Sequence, residues 1–262
     1  MPAGVALDVY TRARRNDVSA GEWKARVDLA ACYQLFDRKG WTDGINTHLS
    51  VRSPDNPNHF FLKPDHLLFH QVTASSMIKI DLDGNLVDPD SGKVNPAGAI
   101  IHSAVLAARS DSNCVLHHHT DAGIAVSSQE DGLLPMSQHA LQFYNRVSFH
   151  EYEGIALDPS ERASLQSDLG PTNNVMLLRN HGILVVGSSV GMAFSICDQF
   201  ETACRSQIMA QQSGARLHFP TPAVCEHTAQ QFERGSQQRR ADSTEWKAML
   251  GWLDELGAPY AQ

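Results

Sequence analysis

The segment 114-CVLHHHTDAG-123 sets three consecutive histidines between a short apolar run and a stretch of small residues. The chain holds 13 histidines, yet they cluster only here. In an extended strand successive side chains alternate faces, so His117 and His119 share one face and His118 takes the other. Two imidazoles at i and i+2 on a rigid element can share an ion, and a third ligand must then come from elsewhere in the chain. His181 is the best candidate. It stands in 180-NHG-182 directly after an apolar run, where a side chain can project into a cleft, and Gly182 lets the backbone turn. Three neutral ring nitrogens with coordination positions left open form a catalytic arrangement, not a closed structural one. Zinc, iron(II), manganese and cobalt all accept imidazole, so residue type alone does not choose the metal, with zinc the first expectation. His118, His66, His70, His139, His150, His218 and His227 read first as solvated or hydrogen-bonded residues.

The elements that must position these groups are legible in outline. Val27, Ala30, Ala31 and Leu35 recur at helical spacing between Glu22 and Lys39, and Gly40 supplies a stop. Short extended pieces follow at 48-HLSVR-52, 59-HFFL-62 and 77-MIKIDL-82, the last ending in the turn 83-DGN-85. Asn95 is an N-cap with Pro96 at the first helical position, opening a helix over 97–110. A strand over 113–119, a helix over 120–129 and a loop over 130–138 come next. Residues 146–154 can be extended. The run 174-NVMLLRNHGILVVG-187 gives two apolar strands around the 180–182 turn, and a long helix spans about 189–212. Residues 1–20 form a polar arm, 21–215 the main domain, and 216–262 a polar tail whose amphipathic end is 245-EWKAMLGWLDEL-256. In that tail Trp246 and Trp252 are candidates for packing on a neighbouring subunit. Strands and helices mix without a βαβ rhythm, which favours a mainly antiparallel sheet covered by helices.

Composition removes several classes of function. Of the 262 residues 42% are hydrophobic, enough for a full core. Net charge is −8 with both signs interspersed, so no basic stripe offers a nucleic-acid footprint. No apolar run approaches the roughly 18 residues of a membrane span, and the N-terminus has no apolar signal core. Cys32, Cys114, Cys197, Cys204 and Cys225 are odd in number and irregular in spacing, which suits reduced thiols in a cytoplasmic protein.

The strand 115-VLHHHTDAG-123, the preceding helix 99-AIIHSAVLAARSD-111 and the turn 178-LRNHGILVVG-187 resemble the class II aldolase/adducin family. The resemblance runs from about Glu22 to about Gly214. The pieces 40-GWTDGINTHLSVR-52, 72-VTASSMIKIDLDGNLVD-88, 132-GLLPMSQHAL-141 and 170-GPTNNVMLLRNHG-182 look most like the adducin-head branch. The resemblance implies a three-layer α/β/α domain with a central, mainly antiparallel sheet, and a ring-shaped homotetramer. It also implies a divalent ion, commonly zinc, on His117, His119 and His181. In the family's enzymes that ion acts as a Lewis acid while a carbon–carbon bond breaks.

Three departures from the family pattern bear on chemistry. The catalytic glutamate or aspartate of the sugar-phosphate enzymes falls on Gly98, which cannot transfer protons. The glycine–asparagine pair of the phosphate loop falls on Thr47 and His48. The hydroxyl-and-glycine phosphate segment falls on Lys63, Pro64, Asp65 and His66. A sugar phosphate is therefore disfavoured, and a small carboxylate substrate fits better, with Lys63 able to meet its charge. The expected chemistry is decarboxylation or retro-aldol cleavage of a non-phosphorylated hydroxy/keto or aromatic acid, with His48, His66, Lys63 or Tyr144 as proton donor. The alternatives are an iron(II) oxygenase on the same histidines, or an adducin-head-like binding module without catalysis. A chain ending at Gln262 would lack the neck and basic tail that adducins add.

Overall fold

A computed structural model describes residues 15–155, 160–238 and 244–262, with side chains left out of the description over 236–238. Most of the expected N-terminal arm, residues 1–14, lies outside the described residues. The strands are β1 (His48–Arg52), β2 (His59–Leu62), β3 (Ile78–Asp81), β4 (Cys114–His118), β5 (Val147–His150), β6 (Val175–Leu178) and β7 (Gly182–Gly187). The helices are α1 (Ala20–Lys39), α2 (Pro96–Ala108), α3 (Asp121–Ser127), α4 (Gln138–Leu141), α5 (Glu161–Leu169), α6 (Val190–Gln212), α7 (Pro222–Gln238) and α8 (Thr244–Glu255).

The seven strands form one sheet in the order β3-β2-β1-β4-β7-β6-β5. Every neighbouring pair is antiparallel except β5 with β6. Strand alternation splits the core in two. Leu49, Val51, Cys114, Leu116, Leu177, Ile183 and Val185 face a layer containing α1, α6 and α8. Phe60, Ile80, Val115, Met176, Leu184 and Val186 face a layer containing α2 and α5. Both sides of the sheet are therefore dry, and the expected three-layer α/β/α architecture is the one observed. Each fully buried Leu, Ile, Val or Phe contributes on the order of 1.5–3 kcal/mol to holding the layers together.

Local chemistry sets the ends of the elements near the centre of the sheet. Asn95 Oδ1 accepts from the N–H groups of Ala97 and Gly98, with Pro96 at the first helical position of α2. Gly40 closes α1 at φ 71°, its N–H reaching the Phe36 and Asp37 carbonyls. Such caps are worth about 1 kcal/mol each. Three helices go beyond the sequence expectation. α5 was open to no clear reading because only Leu165 and Leu169, one turn apart, are buried apolar residues in it. α4 is a single turn. α7 falls in the polar tail, where Cys225 and Ala229, again one turn apart, are buried among the described side chains. The end of the chain docks on its own core: Trp246 is 2% exposed and rests against Gly191 and Phe194, so its burial does not need a second subunit. Trp252 stays partly exposed.

Candidate metal centre

β4 and β7 are sheet neighbours, with His117 opposite Leu184 and His118 opposite Ile183. The turn before β7 therefore lies beside the histidine end of β4. Asn180 takes the left-handed conformation at φ 57° that the turn requires. Gly182 serves a different purpose from the one its position suggested, because it carries no positive φ. A Cβ there would lie 2.5 Å from the His118 carbonyl oxygen and 3.1 Å from His119 Cδ2, so glycine is what lets the turn close onto β4. His181 is thereby brought to His117 and His119, and one ligand atom from each of the three lies within 4.8 Å of the others. The ring centroids stand 4.7–4.8 Å apart.

The outer nitrogens define the inner ones. His117 Nδ1–H donates to the Ile183 carbonyl at 3.0 Å, and His119 Nδ1–H donates to Asp43 Oδ2 at 3.1 Å. Each ring then turns the lone pair of Nε2 inward, and these two nitrogens are 2.9 Å apart. Two lone pairs facing each other at that distance are stabilised only by a shared positive charge. Nitrogens about 2.0–2.1 Å from one divalent ion would stand roughly 3 Å apart, and outer hydrogen bonds to a carbonyl and a carboxylate are the usual orienting contacts of ligating histidines. The donor set fits a divalent transition metal. Burial holds His117 well below the usual histidine range, with His48, His181 and His119 adding to the shift. Burial likewise pushes His181 down to about 4, helped by His119 and His150. Both rings are neutral at physiological pH, as ligands must be.

On the opposite face of β4, His118 is fully buried and is stacked by Trp41. Its Nε2–H donates to Glu201 Oε1 at 2.7 Å, and the same oxygen accepts from Thr120 Oγ1 at 2.6 Å. A carboxylate on α6 thus holds the residues on both sides of His119.

The family model described as "Class II Aldolase and Adducin N-terminal domain" matches residues 27–208. The chain belongs to the class II aldolase/adducin family. It is 44% identical over 249 residues to a Pseudomonas aeruginosa protein described as "Putative aldolase class 2 protein", covering 94% of this chain and 95% of that one. It is 44% identical over 190 residues to alpha-adducin of Rattus norvegicus, covering 72% of this chain but 26% of the adducin. The crystal structure of an aldolase II superfamily protein from Pseudomonas syringae superposes with a TM-score of 0.86 at 45% identity, covering 95% of this chain and 99% of that chain.

Within this class II aldolase frame, the space beside Gly98 is physically filled. A Cβ on Gly98 would lie 2.8 Å from His48 Cδ2 and 2.9 Å from Cγ. The imidazole of His48 therefore lies directly against Gly98. His48 pairs across the sheet with His117, and the two ring centroids are 5.1 Å apart. His48 Nδ1 is 2.8 Å from His102 Nε2, and His102 Nδ1 is 2.5 Å from Ser50 Oγ. All three residues are buried. Burial lowers His48 well below the usual range, reinforced by His102, His119, Lys63 and His181, and holds His102 down at about 3. Lys63 is 3% exposed, and its ammonium donates to the carbonyls of Ile45, Pro64 and Asp65 at 3.2–3.4 Å. Burial pushes it down to about 8, partly countered by Asp65.

The other two candidates have different surroundings. His66 is exposed, with Nδ1 3.3 Å from Asp65 Oδ1. Tyr144 lines a separate surface hollow with Asp131, Pro135 and Phe149. Three neighbours of the centre were not singled out from the sequence. Asp43 orients His119, His102 holds His48, and the half-exposed Tyr152 lies with its ring centroid 6.4 Å from that of His181. Only His102 left a signal, as a histidine on the apolar face of the helix that precedes the HHH strand. A cavity of about 300 Å³ between Arg146, Asn173, Asn174 and Glu233 lies at the Gly187 end of β7, away from the histidines.

Proposed function

We propose that this class II aldolase homologue is a metal-dependent lyase that breaks a carbon–carbon bond in a non-phosphorylated hydroxy/keto or aromatic carboxylic acid. The observation that carries the reading is the pair of inward lone pairs on His117 and His119, joined by His181, with His48 and a buried lysine nearby and no carboxylate at residue 98. A divalent ion, zinc first and iron, manganese or cobalt otherwise, would be held by His117, His119 and His181 and would supply Lewis-acid polarisation of a substrate oxygen.

The chain's own groups account for the rest of the site. Lys63 offers a cation that no carboxylate hydrogen-bonds, so a substrate carboxylate is its natural counterion. When the bond to the carboxylate carbon breaks as CO₂ leaves, its electron pair stays on the remaining carbon and a proton must replace it. Lys63, with a pKa of about 8, is a proton donor matched to that step near neutral pH. His48 adds a ring nitrogen on the same side of the sheet as His117. Retro-aldol cleavage of an acid needs the same parts. Assembly as a homotetramer belongs to this proposal and is read by sedimentation.

A second reading rests on the similarity to alpha-adducin. In it the domain is a binding module whose histidines do no chemistry. Elemental analysis of gently purified protein separates the two. The lyase reading requires near one transition metal per chain, lost in His117→Ala and His181→Ala, and a rise in melting temperature with hydroxy-keto or aromatic acids. Protein that holds no metal and cannot be loaded sinks it and leaves the binding module.

A further inference from the structure

The buried chain Ser50–His102–His48 has a direction, and donor counting gives it. Ser50 Oγ has one side-chain partner among the described residues, His102 Nδ1. If His102 Nδ1 carried the proton, the Ser50 hydroxyl hydrogen would be left without an acceptor in a site that is 0% exposed. An unmade bond of that kind costs about 1–3 kcal/mol. The satisfied arrangement has Ser50 O–H donating to His102 Nδ1, and His102 Nε2–H donating to His48 Nδ1. His48 Nδ1 is then an acceptor, and the ring's single proton sits on Nε2. That nitrogen has no hydrogen-bond partner among the described residues and lies on the ring edge away from His102, beside Gly98.

We propose that Ser50 and His102 are positioning residues that fix His48 as the Nε2–H tautomer, a neutral hydrogen-bond donor to an anionic substrate oxygen and not a base. The proposal rests on the lyase reading for the identity of that oxygen, and on the geometry alone for the tautomer. It deepens that reading in one respect. Where the family's sugar-phosphate enzymes use a carboxylate that takes protons, this site presents a donor, so it favours substrates whose oxygen is already charged.

Nitrogen-15 NMR of histidine-labelled protein tests the tautomer directly, with His48→Gln assigning the signal. Expected are Nε2 protonated, Nδ1 unprotonated, and an N–N coupling to His102 across the hydrogen bond. A proton on His48 Nδ1 overturns the proposal, whether or not the protein binds metal or turns over any acid. Two variants then test the consequence on zinc-loaded protein with oxalate as probe. His102→Gln keeps an N–H donor to His48 Nδ1 and should keep the tautomer and oxalate affinity. His102→Glu presents an acceptor, should move the proton to Nδ1, and should weaken oxalate binding by about tenfold or more, the value of one hydrogen bond to a charged group. Equal oxalate affinity in the two variants overturns the donor role. Failure to load zinc removes the lyase reading while the tautomer is still decided by the wild-type spectrum.

Discussion

The contact between Gly98 and His48 predicts a coupling that can be worked through in energy. Replacing Gly98 by alanine puts a carbon 2.8 Å from His48 Cδ2 and 2.9 Å from Cγ. Carbon atoms rest at about 3.5–4.0 Å, so the overlap is roughly 0.7 Å or more. The ring has little room to yield. Nδ1 is held by His102, the backbone is paired in β1, and the residue is 3% exposed. Overpacking of this kind costs about 1–3 kcal/mol. Alanine in a helix gains up to about 1 kcal/mol over glycine, so the net loss for Gly98→Ala should be about 0–2 kcal/mol. His48→Ala alone opens a void and strands the His102 donor, at about 1–3 kcal/mol for the donor alone. In the double variant the new methyl no longer meets a ring. The two losses should therefore fail to add, with a favourable coupling of about 1–3 kcal/mol. Urea unfolding of the four metal-free proteins measures it. A coupling within about 0.5 kcal/mol of zero would refute the claim that the imidazole rests against residue 98. By the same reasoning, the side chain of a Gly98→Glu variant would have to displace His48 first.

Other predictions follow from the same geometry. Asp43→Asn should weaken metal binding by about 10–100-fold with little change in stability, since Asp43 is exposed and its contact with His119 is orienting; a metal titration reads it. Glu201→Ala should cost about 3–5 kcal/mol in chemical denaturation, because it leaves His118 Nε2 and the Thr120 hydroxyl without their shared acceptor inside the core. Acid should destabilise the metal-free protein from the ordinary histidine pKa of about 6.5 downward. His48, His102, His117 and His181 are all held below that value, so as the pH falls the unfolded chain takes up protons that the folded chain refuses. The loss contributed by His181 ends near pH 4 and that of His102 near pH 3, and urea midpoints measured between pH 7 and 4 should decline steadily.

What the sequence made legible follows the physics of its signals. Strand alternation put His117 and His119 on one face without any coordinates, and their Nε2 atoms lie 2.9 Å apart although His119 is just past the end of β4. The apolar runs of β6 and β7 and the Asn95–Pro96 start of α2 were equally plain, because caps and periodicity are local. The contact between Gly98 and His48 was not legible, since it joins residues 50 positions apart through the packing of α2 on β1. The role of Gly182 was misjudged for a related reason. A glycine in a turn suggests a special φ, whereas here the constraint is the approach of a neighbouring strand. α7 was hidden because its buried face is narrow and the segment around it is largely polar.

The balance between enzyme and scaffold turns on the cost of the histidine centre. A binding module gains nothing from two ring nitrogens 2.9 Å apart with their lone pairs opposed. Nor does it gain from four imidazoles held neutral by burial on one side of a sheet, each of which lowers acid stability. Apolar residues at the same positions would pack the layer between β4 and α2 without those penalties. Sites that break local rules at a cost to stability are where function is expected, provided something offsets the cost. A divalent ion held by His117, His119 and His181 would do so by removing the lone-pair repulsion. It does not explain Ser50, His102 and His48, which lie beside that centre and satisfy one another except at a single ring nitrogen. A hydrogen-bond chain that ends on a ring N–H beside a candidate metal centre is placed to meet an acceptor on a bound molecule. The case for a substrate therefore stands on the His48 ring as much as on His117, His119 and His181, and the tautomer can be tested before any substrate is identified.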